Sequence, residues 1–504
     1  MKKIALLLII IAVILLLPCF AFAIDITGSN SPYSITNNES YTVKSGETVI
    51  ISGTASNSII TCEANVSITI NVLNIDNSLG SLCPIQFSTG TNFLEFSGSN
   101  SFIAGVDEAA ISVIGANTKL TISDIDGNGV LYATGGQSSA GIGGGNGQTV
   151  GSIEITSGEI IAEGTTGAGI GTGDGGYGGT TLISGGDITA IGGNHSAGIG
   201  GGNNCSTPPV KIEITGGEVE ATGRGFSAGI GSYEHCGDII IRGGKITASN
   251  TADQGAGIGS GYHGNCNITI YGGEITATGY RGAGIGSGRD GTANITIYDG
   301  NITATSWNGA AIGNGSDGAG GGSVTIHGGT IEATTTHFGA GIGGGDECDN
   351  PPSVTITGGT ITATGAFESA GIGGGYDGNG SAVTINGGTV YASGDVSGTA
   401  RDIGRGHIGT DATHDGSLDM TSPTSTLAVF IQNERANSVD PIDPEPDYIT
   451  VTSLADIPSG IIPPTWSFPY GLYYIYVENA QVTNPQTGNI LVFQSIIDWF
   501  EKLF

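Results

Sequence analysis

Apolar and polar positions alternate along most of the chain in short bursts separated by glycines. The stretch SVTITGGTITATGAFESAGIGGG, residues 353–375, shows one whole unit: an alternating run, a Gly-Gly, a second alternating run, then a glycine-rich segment around one isoleucine. Period-two alternation rich in Ile, Val and Thr predicts strands, and the intervening glycines predict turns. No segment between successive glycine-rich anchors carries a 3.6-residue apolar period. Helices and βαβ units are therefore not expected there.

The unit recurs. Ala-Gly-Ile-Gly or a close variant places isoleucine at Ile142, Ile170, Ile199, Ile230, Ile258, Ile285, Ile312, Ile342 and Ile372, spaced by 27 to 31 residues. A degenerate copy stands at Ile403 and a founder at Ile111. A phosphate-cradling glycine loop occurs once, between a strand and a helix. This one repeats and leads into strand, so that reading is rejected. Aligning the units produces three ranks, headed by Ile155, Ile160 and Ala162 and ending at Ile385, Val390 and Ala392. Such ranks fit an all-β, single-stranded parallel β-helix, in which each coil rests its inward residues on the next. About ten regular coils are expected over 138–410, and the expected winding is right-handed.

The flanks extend the scheme. Residues 24–137 read as irregular starting coils, 411–447 as an acidic, proline-containing linker or edge segment, and 448–504 as strands with a short capping helix. In that helix Ile496, Ile497, Trp499, Phe500, Leu503 and Phe504 fall at helical spacing, suited to a cap or to a partner or envelope contact through 495–504. At the other end, Lys2 and Lys3 precede an apolar run and the small-residue site Ala21-Phe22-Ala23, the pattern of a secretory signal over 1–23. The expected location is secreted or at the cell surface, with no membrane span in the mature chain.

Charge narrows the partners. The chain carries −31, and removing Lys2 and Lys3 makes it −33. Phosphate neutralisation needs clustered Lys and Arg, so nucleic acid is disfavoured, whereas counter-cations such as Ca²⁺ are favoured.

FSGSNSFIAG at 96–105, ANTKLTISDIDGNGVLYATGG at 116–136 and the following AGIGGG…ITITGGTITATG units together resemble secreted β-helical repeat proteins of the adhesin-like or carbohydrate-binding-domain type, with a pectin-lyase-like architecture. The resemblance covers roughly residues 60–410. It implies a surface or secreted role. Some relatives associated with acidic polysaccharide and Ca²⁺ tend to carry aspartate before the anchor's Gly-Ile, where this chain has alanine, a departure that weakens transfer of their metal residues.

Candidate chemistry lies in rows along the coils, which are ~4.8 Å apart. His195, Phe226, Tyr280, Trp307, Phe338 and Phe367 stand four or five residues before their anchors, with Gln254 interrupting the row. Exposed, they suit the apolar faces of sugar rings; turned inward, they would close a turn. Glu159, Asp187 and Glu218 precede Lys245 and Glu274 in a second row, and Asp290 and Asp317 form a second acidic pair. Stacked acids invite Ca²⁺, for which oxygen ligands are suited, or form a solvated face. No cofactor is required.

Pectin-cleaving β-helices need converging acids. Here basic residues are scattered and the regularity is unbroken, so the expectation is no enzyme, with a lyase or hydrolase as a lesser alternative. Threonine rows headed by Thr247 and Thr278 raise ice binding, but Glu220, Glu332 and Tyr391 interrupt them.

Six cysteines follow the signal. Cys205, Cys236 and Cys266 fall in the same loop of consecutive coils, so Cys236 can bridge only one neighbour. Cys348 lies roughly 14 Å beyond Cys266 along the axis, too far for a disulfide. Cys62–Cys83 and one bond involving Cys236 are expected, leaving two thiols. The functional expectation is a β-helical protein binding polysaccharide, its competitor a structural or adhesive spacer.

Overall fold

In the computed structural model each repeat forms one coil of three strands. The structure describes residues 23–205, 210–250, 253–317, 320–395, 400, 403–406, 416–419, 427–432 and 472–477. In one regular coil the strands are Ile142–Gly143, Ser152–Ile155 and Glu159–Glu163. Each pairs in parallel with its counterpart in the next coil: Ile142 with Ile170, Ile155 with Ile183, Ile160 with Ile188. The chain is thus an all-β parallel solenoid. Its short first strands make a continuous sheet of 15, from Ile24–Ile26 to Ile403–Gly404. The second and third strands make the other two faces, which merge where Ser353–Thr364 and Ala382–Ser393 run unbroken through both.

The ranks lie inside. Every anchor from Ile111 to Ile403 is buried, as are the ranks of Ile155, Ile160 and Ala162. Burying one isoleucine contributes about 1.5–3 kcal/mol, and the coils cannot bury theirs except against one another. Alanine in the third rank leaves room where the coil turns toward its next short strand.

The glycine after each anchor is fixed by stacking as well as conformation. Gly286 has φ of +144°, and a Cβ there would overlap the carbonyl oxygen of Gly313. The same overlap recurs from Gly143 on Gly171 to Gly373 on Gly404. Four residues later the chain turns through the left-handed region, with φ between 50° and 58° at Asn204, His263, Asp290, Asp317, Glu347 and Asp377. Asn and Asp tolerate this conformation best among side-chain-bearing residues, which accounts for much of that column's composition.

The anchor rank runs further toward the N-terminus than the repeat motif does. Ile24, Tyr41, Ile60, Ile85 and Ile111 continue it in register, and Tyr41, Phe87, Phe96 and Phe102 are fully buried in the interior there. At the other end, Leu427–Gln432 adds a strand parallel to Ala382–Ser393 and pairs antiparallel with Leu472–Val477. The segment expected as a linker or edge segment thus contains a strand, Leu427–Gln432, that pairs onto the last long strand of the solenoid. The acidic run at 439–447, the amphipathic stretch at 495–504 and all but the last residue of the secretory pattern lie outside the described residues.

Candidate aromatic strip beside the short-strand sheet

The turns before and after each anchor meet. The backbone N–H of Tyr262 donates to the Phe226 carbonyl at 2.9 Å, that of Asp346 to Asn308 at 2.8 Å, and that of Tyr376 to Phe338 at 2.7 Å. Each bond joins one coil's leading turn to the next coil's trailing turn. Rings from both turns consequently share one strip of surface.

None of the six expected rings is in the core. Trp307 and Phe367 are exposed, at 41% and 54%, and His195, Phe226, Tyr280 and Phe338 are half-buried. They fall into two groups separated by the coil that carries Gln254. In the first, His195 stacks on Phe226 at 4.3 Å between centroids, with Tyr233 and Tyr262 against Phe226. In the second, Tyr280, Trp307, His337 and Phe367 follow one another at 5.9, 4.8 and 4.5 Å.

The file's member in its third coil is therefore His337 and not Phe338. Phe338 lies beside the file, edge-on to Phe367 at 71° and 5.0 Å from Tyr376. Spacing before the anchor would have shown this, since Tyr280, Trp307, His337 and Phe367 are each five residues ahead and Phe338 is four. Stacking also limits what the rings offer. Trp307 has a neighbour on each side and shows mainly its edge, whereas Phe367 ends the file.

A second aromatic ladder was missed from the sequence. Tyr271, Tyr298 and His327 stack at 4.9 Å between successive rings, tilted by only 3° and 17°, and Arg242 lies 4.7 Å over Tyr271. Each is the residue just after the rank of Ile241, Ile270, Ile297 and Ile326, so reading one column beyond that rank would have found it. Its faces are covered by one another, with His327 Nδ1 2.9 Å from Thr357 Oγ1 at one end.

The acidic row aligns as Glu159, Asp187, Glu218, Lys245 and Glu274. Lys245 Nζ lies 2.5 Å from Glu218. Asp290 and Asp317 share Arg289, whose Nε is 3.9 and 2.6 Å from them. Both candidate cation sites thus contain a cation of the chain itself. Among the described residues no three His, Cys, Asp or Glu side chains converge as a metal-ligand set.

Nine segments, residues 124–146, 182–203, 212–232, 239–262, 268–289, 295–316, 324–346, 354–376 and 383–400, match the family described as Beta helix repeat. The chain is a β-helix repeat protein. No curated protein and no solved structure matches it. The unmatched coil between 146 and 182 is structurally continuous, since Ile142, Ile170 and Ile199 stay in register.

In this β-helix repeat protein, topology gathers acids that are far apart in sequence. Asp317, Asp346, Glu347 and Asp377 come from successive trailing turns beside Phe338 and Tyr376. Burial, followed by the charges of Glu347, Asp317 and Asp377, pushes the Asp346 carboxyl up to about 7, against a smaller opposing effect of Arg281. The absence of an aspartate pair in the linear sequence concealed this cluster.

The threonine rows are in register, Thr247 with Thr276 and Thr303, then Glu332 and Thr362. The six described cysteines are thiols. Cys236 Sγ donates to the Gly237 carbonyl at 3.2 Å and Cys266 Sγ reaches the same oxygen at 3.8 Å. Burial holds the Cys62 thiol far above the ordinary range, and the neighbouring Cys83 adds to the effect. No helix among the described residues is long and apolar enough to cross a membrane.

Proposed function

We propose that this β-helix repeat protein is exported and binds polysaccharide along the aromatic strip. The observation that carries the reading is the outward placement of the rings, with Trp307 and Phe367 exposed and Phe338 lying against Phe367 and Tyr376. Exposed aromatics offer large contact area at low entropy cost, and a rigid solenoid holds them in fixed register. The secretory pattern at residues 1–23 fits a ligand outside the cell.

The test is retention of residues 24–504 on insoluble polysaccharides, with the double variant Trp307→Ala/Phe367→Ala alongside. Retention lost in the variant supports the strip as the contact face. Retention unchanged, or none on any polymer, removes the reading. Release of new chain ends from the same polymers would replace binding with cleavage, since β-helix repeats occur in enzymes and non-enzymes alike.

A structural spacer is the second reading, and one observation favours it. Rings stacked on one another, as in Tyr271–Tyr298–His327, stiffen neighbouring coils while offering few faces to a ligand.

A further inference from the structure

Nine Asn-x-Ser/Thr triplets, none with proline in the middle, lie along the chain, and all nine asparagines are among the described residues. The triplet is the acceptor motif for N-linked glycosylation of exported chains. So short a motif recurs by chance, and the structure separates the copies that suit a glycan from those that do not. A suitable copy has an exposed asparagine, a side-chain nitrogen that donates to no other group, and a hydroxyl two residues on that reaches the surface.

Burial removes two copies. Asn314 and Asn379 are buried together with Ser316 and Ser381. Their Nδ2 atoms donate to the carbonyls of Gly321 at 3.0 Å and Asp349 at 2.6 Å. Asn194 is exposed, but Ser196 is buried and its Oγ donates to the Thr166 carbonyl at 2.9 Å. In three more the nitrogen is engaged: Asn204 donates to Asp174 at 3.1 Å, Asn267 to Asp238 at 3.2 Å and Asn294 to Asn267 at 3.2 Å. Asn267 and Asn294 also pair across adjacent coils, ~4.8 Å apart, where a glycan on one would crowd the other.

Asn38, Asn65 and Asn301 remain. All three are exposed, and Ser40, Ser67 and Thr303 are half-buried at the surface. The side chains of Asn38 and Asn65 use only their oxygen, accepting from Asn57 Nδ2 and from the Thr91 N–H at 3.0 Å each. Both sit in turns with φ of 59°, a conformation that asparagine tolerates. Asn301 opens the strand Asn301–Ser306, whose two-residue period buries Ile302 and leaves Asn301 and Thr303 on one outward face.

We propose that Asn38, Asn65 and Asn301 carry N-linked glycans. Nδ2 forms a bond to the anomeric carbon of an oligosaccharide carried on a lipid phosphate. The sugar–phosphate bond breaks with its electron pair leaving on phosphate, and the amide releases one proton. The glycans are bulky and solubilising, and they leave the aromatic strip bare: Asn301 is at the opposite end of the strand that leads into Trp307. The proposal rests on the export half of the reading above and not on polysaccharide binding.

The test is mass spectrometry of intact peptides from the chain recovered from the medium or surface of the cells that make it. The expected result is a saccharide mass increment on the peptides of Asn38, Asn65 and Asn301, with the other six triplets unshifted. Thr303→Val should remove the increment at Asn301 while keeping the asparagine, and Thr303→Ser should retain it. Unshifted peptides at all three sites in the exported chain overturn the proposal and leave export standing. An increment that survives Thr303→Val also overturns it, because attachment then ignores the triplet. Increments at the other six as often as at these three overturn the selection by structure. A chain found only inside the cells and unshifted overturns export and glycosylation together.

Discussion

Lys245 Nζ sits 2.5 Å from Glu218 Oε1 in a row otherwise made of Glu159, Asp187, Glu218 and Glu274. It is the one cation in that five-residue row, and Glu274 and Asp187 on either side also favour its charged form. Lys245→Gln should therefore lower the melting temperature slightly at low ionic strength, and the loss should fade as salt is added. Calcium should recover the variant more than the parent, since no cation of the chain then competes for the row's carboxylate oxygens. Thermal melts across a salt and calcium series check this. A loss insensitive to both would show that Lys245 acts by packing and not by charge.

Glycine positions should separate into two classes. Gly286→Ala puts a Cβ onto the Gly313 carbonyl oxygen, backbone that can move only by parting two coils. Gly147 also has positive φ, +65°, but nothing lies within 4 Å of a Cβ there. Gly147→Ala should cost about 1–2 kcal/mol from conformation alone, and Gly286→Ala more than about 4 kcal/mol. Hydrogen exchange around 258–313 would localise the damage. Similar costs for both would show that the coils relax easily.

Why the fold could be read from residues and the site only in part follows from the same geometry. A coil's interior repeats, so Ile155 predicts Ile183 and every later member of its rank. The strip is built from turns, where no such periodicity applies and a shift of one residue changes the neighbour. Phe338 and His337 are adjacent in sequence, yet only His337 enters the stack. Asp346 and Asp377 are far apart along the chain and meet only because trailing turns stack. Arg242, Tyr271, Tyr298 and His327 did lie in a readable column, but it falls one residue outside the rank that drew attention.

The cysteines offer a check on coil register. Cys236 and Cys266 thiols share the Gly237 carbonyl, at a point where the pairing of adjacent strands shifts between His235 and Asp238. On incubation with oxidised glutathione, Cys236 should bridge Cys266 and not Cys205. Cys62 should bridge Cys83. Peptide mapping should recover those two pairs, and Cys205 and Cys348 should titrate as thiols once the chain is denatured. A Cys205–Cys236 bridge would contradict the observed neighbours. A Cys236–Ser variant, Cys236→Ser, should leave Cys266 reduced.

Asp346 makes a pH dependence that can be isolated by subtraction. Its carboxyl is raised from 3.8 to about 7, by burial first and then by Glu347, Asp317 and Asp377. The folded chain holds this proton more tightly than an unfolded chain does, so stability falls with pH between those values. The contribution is complete below 3.8 and is lost as pH rises through about 7. Partial exposure screens the group, which reduces the effect to on the order of 1–2 kcal/mol. Asp346→Asn cannot ionise and should lose this dependence. The difference in stability between parent and variant should thus grow from about pH 4 to about pH 7 and level off above it, with the variant the more stable at the upper end. Protection of backbone amides in 338–377, measured by hydrogen exchange across that range, reports it locally. A difference that stayed flat, or that favoured the parent at high pH, would mean Asp346 is ionised throughout and paired more closely with Arg281 than with its acidic neighbours.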